Sequence, residues 1–182
     1  MDYRDSPEQA RLRAEVREFV ANDPAPRARA FPEDGWIAGF EPEFSKRLAS
    51  RGWLGMTWPK EYGGGGKPQV YQDIATEEMA KAKVPFFPNT IGLFWAGPLI
   101  LAIGTEAQKR RYIPGILSGD DIWCQGFSEP DQGSDLANAQ TRAMRDGDDY
   151  VINGAKIWTS LGSHAKYMIL LARTDPASKR YA

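Results

Sequence analysis

One cysteine and one histidine are spread over 182 residues, and that scarcity removes several chemistries at once. A lone Cys124 cannot close an internal disulfide, which suits a reducing cytoplasm, and it reads as a small buried hydrophobe rather than a nucleophile. With His164 as the single imidazole and no HExxH or CxxC pattern, neither a zinc site nor a histidine-dependent triad is expected. A basic surplus is also missing. Twenty-three Lys and Arg against 24 Asp and Glu leave a net charge of −1, which gives no support for a nucleic-acid partner. The longest strongly apolar run, Thr90 to Ile103, is broken by Gly97 and Pro98 and is too short for a membrane span, which needs about 20 residues. The N-terminus is charged from the start and has no apolar signal core, so secretion is not indicated and a cytoplasmic location is expected.

What is present is enough for a core: 42% of the residues are hydrophobic and 12% aromatic. The first half reads as helices. Ser6-Pro7-Glu8-Gln9 is a capping box with proline at the first helical position. Leu12, Val16, Phe19 and Val20 follow as one apolar stripe, and Asp23-Pro24-Ala25-Pro26 ends it. A second helix is predicted from about Glu41 to Arg51, with Gly52 as its stop. TWPKEYGGGGKP then reads as a mobile surface loop, because four glycines are costly to order and the pattern is not a Walker A motif. Val70 to about Val84 is a third helix, on which Glu77 and Glu78 read as a solvated face. Thr90 to Ile103 is apolar nearly all round, a helix buried among others, with Phe94 and Trp95 as core residues or ligand walls. Thr105-Glu106-Ala107-Gln108 caps a short helix that should end near Pro114.

At Asp120-Asp121 the texture changes. Ile122 to Phe127 and Lys166 to Arg173 read as strands, Asp146-Gly147 as a turn and Asn153-Gly154 as a hairpin signal. The organisation is therefore α+β: an all-α helical domain over 1–120, then an incomplete antiparallel β domain over 121–182. Roughly 60 residues carrying about four strands are few for a closed barrel or sandwich. The chain stops at Ser178 to Ala182 without a closing element, so either a fragment or a β domain completed by another chain is expected.

Two stretches carry the chemistry. In GFSEPDQGSD, Gly126 to Asp135, proline and glycine break regular structure while Ser128, Ser134 and main-chain N–H groups offer donors. A ligand loop and a plain turn fit it equally, and its acids suit turn-capping better than a catalytic pair. In NGAKIWTS, Asn153 to Ser160, a hairpin would present Trp158 beside two hydroxyls, a surface suited to a planar heteroaromatic ligand, although a strand tryptophan is more often core.

Together with YMILLART, WPKEYGGGG, ATEEMAKAKVP and GTEAQKRRYIPGILSGDDIWCQGFSEP, these segments make nearly the whole chain resemble the acyl-CoA dehydrogenase family of flavoproteins. The resemblance implies a helical domain, a β domain and then a C-terminal four-helix domain, with FAD on the β domain. It implies flavin contacts from Gln125, Gly126, Phe127 and Ser128. Gly133 and Ser134 would lie near the pyrophosphate and the thioester arm, Trp158 would flank the isoalloxazine, and Thr159 and Ser160 would reach its N5 side. Ser stands at 128 and 160 where relatives carry Thr, which keeps the hydroxyl. Phe94 and Trp95, with Ser134, are the substrate-binding candidates. The implied reaction is α,β-dehydrogenation of an acyl-CoA to a trans-2-enoyl-CoA, as in fatty acid β-oxidation. The family's base is a carboxylate of the C-terminal domain, so no catalytic residue is assigned and the chain alone is expected to be inactive. A non-catalytic interaction subunit and an acyl-CoA oxidase fragment are the alternatives. A homo- or hetero-oligomer and an electron-transferring flavoprotein are the implied partners.

Overall fold

The structure is a computed structural model and describes residues 4–24, 41–84 and 89–175. Ala25, Pro26 and the stretch Ser178 to Ala182 lie outside the described residues. The chain divides into two compact units, Met1–Ile122 and Trp123–Ala182.

The first unit is helical: α1 Pro7–Asn22, α2 Pro42–Ser50, α3 Gln69–Lys81, α4 Gly97–Ile103 and α5 Glu106–Ser118. Ser6 caps α1 through the full capping box with Gln9, and Thr105 caps α5 in the same way with Gln108. Leu12, Val16 and Val20 are buried on α1, Phe44 and Leu48 on α2, and Ile113 and Ile116 on α5. Each such side chain stabilises the fold by about 1.5–3 kcal/mol relative to exposure. Phe19 meets Trp53 edge-on at 5.1 Å, and Arg47 on α2 pairs with Asp23 at the end of α1 at 2.7 Å.

Four expectations for this unit change. The glycine loop is ordered, not mobile: the N–H groups of Gly64, Gly65 and Gly66 donate to Pro59, Gly55 and Trp58 oxygens. A Cβ on Gly64 would sit 2.3 Å from the Trp58 oxygen, so glycine here permits close backbone approach. Secondly, α5 does not end at Pro114 but runs on to Ser118, with Gly119 left-handed at φ 80°. The proline forfeits one hydrogen bond, while Ile113, Ile116 and Leu117 stay buried around it and hold the helix through the gap.

Thirdly, Glu78 is not solvated. Its side chain is 2% exposed and pairs with Arg13 and Lys81 at 2.7 and 3.2 Å, and with Arg17. These bonds hold its carboxyl at about 2, Arg17 contributing most. Glu77, half exposed, joins the same network.

Fourthly, the segment before Ile103 is not buried all round. Gly92–Ala96 forms a π-helical turn, closed by Gly97 N–H to Gly92 O, ahead of α4. Pro98 supplies no N–H to Phe94 and crowds its carbonyl, and the wider turn relieves that conflict. Phe94, Trp95, Leu99 and Ile103 are left exposed along it. Among the described residues, no helix is long and apolar enough to cross a membrane.

The second unit has strands β1 Trp123–Gly126, β2 Arg142–Asp146, β3 Asp149–Asn153 and β4 Tyr167–Leu170. β2 and β3 form the antiparallel hairpin, turning at Gly147 with φ 60° as the Asp146-Gly147 signal requires. β1 instead pairs with β4 in parallel, Trp123 opposite Tyr167 and Gly126 opposite Leu170. A parallel pair needs a long crossover, and here the hairpin and two loops serve as that crossover.

Candidate functional site

GFSEPDQGSD leaves the end of β1 and closes a tight turn, in which Glu129 N donates to Gln132 O at 2.8 Å across Pro130-Asp131. The Glu129 side chain is buried and faces inward. Its carboxylate accepts from the main-chain N–H of Gln140, from that of Thr141 at 2.8 Å, and from Lys156 Nζ at 2.8 Å. Burial by itself pushes this carboxyl up, but the Gln140 N–H, the Lys156 ammonium and the Thr141 donors outweigh it and hold the group at about 2. Such a carboxylate is fully committed and too weak a base for proton abstraction. Asp135 is turned to local work, accepting from Asn138 through both its main-chain oxygen and its side chain.

NGAKIWTS does not form the hairpin expected at Asn153-Gly154. The chain runs on without a turn from the end of β3, and a Cβ on Gly154 would lie 2.4 Å from Thr141 Oγ1. The glycine admits that close approach rather than a reversal. Lys156 then inserts beneath GFSEPDQGSD, donating to Phe127 O at 2.9 Å as well as to Glu129. Ile157 N donates to Ser128 O at 2.9 Å. The two candidate stretches are thus joined at three points.

Trp158 follows in the left-handed region at φ 56° and is 84% exposed. A bulky residue held in that conformation costs about 1–2 kcal/mol, and an exposed ring recovers little of it by packing. It is not a core tryptophan. Thr159 and Ser160 follow half-buried, with Ser160 N donating to Trp158 O at 2.9 Å. Gln125 places Oε1 in a buried position with no hydrogen-bond partner among the described residues. Gly126 is packed so closely that a Cβ would meet Met168 Sδ at 2.5 Å, whereas Gly133 has open space and Ser134 is exposed. The two segments therefore offer amide and hydroxyl groups and one exposed aromatic face.

The structure brings Gln125, Gly126, Phe127, Ser128, Trp158, Thr159 and Ser160 onto two joined segments, with Gly133 and Ser134 further along the first. Glu129 and Lys156 hold the segments together; the structural reading of the loop's acids fits Glu129, whereas sequence reasoning passed over Lys156. A lone lysine within the second ligand-type stretch was the available signal. Burial keeps the Cys124 thiol protonated by pushing its pKa up, as its reading as a hydrophobe requires.

In the helical unit, Phe94 lines a cavity of about 220 Å³ with Trp53, Leu54, Trp58, Gln72 and Pro98, among others. Trp95 is half exposed.

Residues 6–120 match the family profile described as "Acyl-CoA dehydrogenase, N-terminal domain", and residues 124–182 match "Acyl-CoA dehydrogenase, middle domain". A curated relative, acyl-CoA dehydrogenase FadE26 of Mycobacterium tuberculosis, is 42% identical over 95% of this chain and 44% of its own length. Among solved structures, the Tcur3481-Tcur3483 steroid ACAD superposes with a TM-score of 0.83 at 42% identity, over 99% of this chain and 47% of that one. The ChsE4-ChsE5 complex from Mycobacterium tuberculosis gives 0.79 at 40% identity, over 97% and 44%. A glutaryl-CoA dehydrogenase from Mycobacterium smegmatis in complex with FADH2 gives 0.73 at 31%, over 94% and 44%. The chain thus spans under half the length of these relatives.

Proposed function

Because the chain belongs to the acyl-CoA dehydrogenase family, we propose that it is the N-terminal portion of an FAD-dependent acyl-CoA dehydrogenase, with a helical domain over 1–120 and part of the β domain over 121–182. The observation that carries this reading is the joining of GFSEPDQGSD to NGAKIWTS through Lys156, Glu129 and the Ile157–Ser128 hydrogen bond, with Trp158 held exposed beside them. Those groups fit a flavin. Gln125 has an orphaned buried oxygen, Ser128, Thr159 and Ser160 bring hydroxyls, and the indole is a flat face for stacking.

On this reading bound FAD would supply the acceptor for a hydride from the β-carbon of an acyl-CoA. Gln125 to Ser128 would hold the pyrimidine edge through main-chain groups and the Ser128 hydroxyl. Trp158 flanks the ring system and keeps water from one side of it. Thr159 and Ser160 would offer dipoles toward the N5 side of the ring, preorganised to stabilise the charge that arrives with a hydride. Gly133 leaves room for the pyrophosphate, and Ser134 reaches toward it and the thioester arm. The family resemblance implies that the α-proton would go to a carboxylate outside the described residues; Glu78 and Glu129, each held at about 2 by its hydrogen-bond donors, are too weak as bases for that role.

A second reading is favoured by the likeness to the ChsE4-ChsE5 complex: a non-catalytic subunit of a heteromeric flavoenzyme, whose partner supplies the base. One titration tests the flavin site that the two readings share. The chain, with any polypeptide that co-purifies, is titrated with FAD and then given acyl-CoA without oxygen. Flavin binding without bleaching by the chain alone, and bleaching once a helical partner is added, is the expected result. Failure to bind FAD in any combination would overturn the flavin reading.

A further inference from the structure

Lys156 does more than neutralise Glu129. Its ammonium also donates to the main-chain oxygen of Phe127 at 2.9 Å. No cis peptide occurs among the described residues, and across a trans peptide the C=O and the following N–H point in opposite directions. Holding the Phe127 oxygen toward Lys156 therefore turns the Ser128 N–H away from the buried pair. That N–H has no partner among the described residues.

The next peptide is fixed as well. Ser128 O accepts from Ile157 N at 2.9 Å, and Glu129 N–H runs the other way to Gln132 O at 2.8 Å. Ser128 N–H thus lies between two immobilised groups as a preset donor. A cation on the carbonyl end of a peptide also polarises its N–H and makes it a stronger donor. An apolar residue at 156 would fill the space without the desolvation cost of a buried ammonium, but it could not aim this peptide.

We propose that Lys156 is a positioning residue that presets the Ser128 N–H for an acceptor on the edge of a planar heteroaromatic ligand, a role that rests on the flavin reading above. Two charge-balanced double variants test it: Glu129→Gln/Lys156→Gln, which keeps a donor for Phe127 O, and Glu129→Gln/Lys156→Met, which does not. FAD is titrated into each, and into the unaltered chain with its co-purifying subunits, while the visible flavin band and the melting transition are recorded. The Met double variant should bind FAD about tenfold more weakly than the Gln double variant, the worth of roughly one hydrogen bond, with a displaced flavin band. Equal affinities and superimposable bands in the two variants overturn the positioning role and leave the flavin reading standing. An unaltered chain that binds no FAD overturns both.

Discussion

Lys156 Nζ lies 2.8 Å from Glu129 Oε1, 27 residues earlier in the chain, and both side chains are more than nine-tenths buried. This pair closes the base of the candidate site.

Glu129 sits at about 2 in the folded chain against an ordinary 4.5, so folding favours its ionised form. Its contribution is complete above about pH 4.5 and is lost as pH falls toward 2. Urea melts taken between about pH 5 and 2.5 should show stability falling, and the fall should be shallower in Glu129→Gln. Parallel curves for the two proteins would show that Glu129 does not carry the acid sensitivity.

Glu78→Ala leaves Arg13 and Arg17 without their shared carboxylate and opens the seam between α1 and α3. The helical unit should lose about 3 kcal/mol, the usual consequence of breaking a buried pair on one side. Arg17→Ala should cost distinctly less, since Arg17 is largely exposed and Arg13 and Lys81 remain on Glu78. Equal urea midpoints for the two variants would contradict the burial argument.

Gly64→Ala forces a Cβ to within 2.3 Å of the Trp58 carbonyl oxygen, and should destabilise the chain by about 2 kcal/mol through backbone displacement. Gly133→Ala meets open space and should stay within about 0.5 kcal/mol of the parent, yet weaken FAD binding by crowding the pyrophosphate. Unchanged FAD affinity in Gly133→Ala would remove that residue from the site.

Trp158→Gly relieves a left-handed bulky residue whose ring is exposed. Thermal stability should hold or rise by up to about 1 kcal/mol, while FAD affinity falls about tenfold with the loss of the stacking face. A lower melting temperature with unaltered FAD affinity would make Trp158 a structural residue.

The local rules that were legible are those whose partners lie within a few residues. Ser6 and Gln9, Thr105 and Gln108, and the Gly147 turn each complete their hydrogen bonds inside one turn of chain, so spacing alone exposes them. Asn153-Gly154 shows the limit of the same rules. The dipeptide carries a turn signal, but Thr141 stands so close to Gly154 that its glycine serves packing instead.

By itself the sequence determined the helical first half, the change of texture near Asp120-Asp121 and the two hydroxyl-bearing stretches, because periodicity, capping and composition act over short separations. Tertiary structure alone decided that Glu78 is buried, that the glycine loop is ordered, that β1 and β4 run parallel, and that Lys156 binds the two stretches together. Each of these depends on groups brought together by the fold: Arg13 reaches Glu78 across 65 residues and Lys156 reaches Phe127 across 29. The worth of such contacts comes from excluding water around charges, and a linear pattern carries no record of that exclusion.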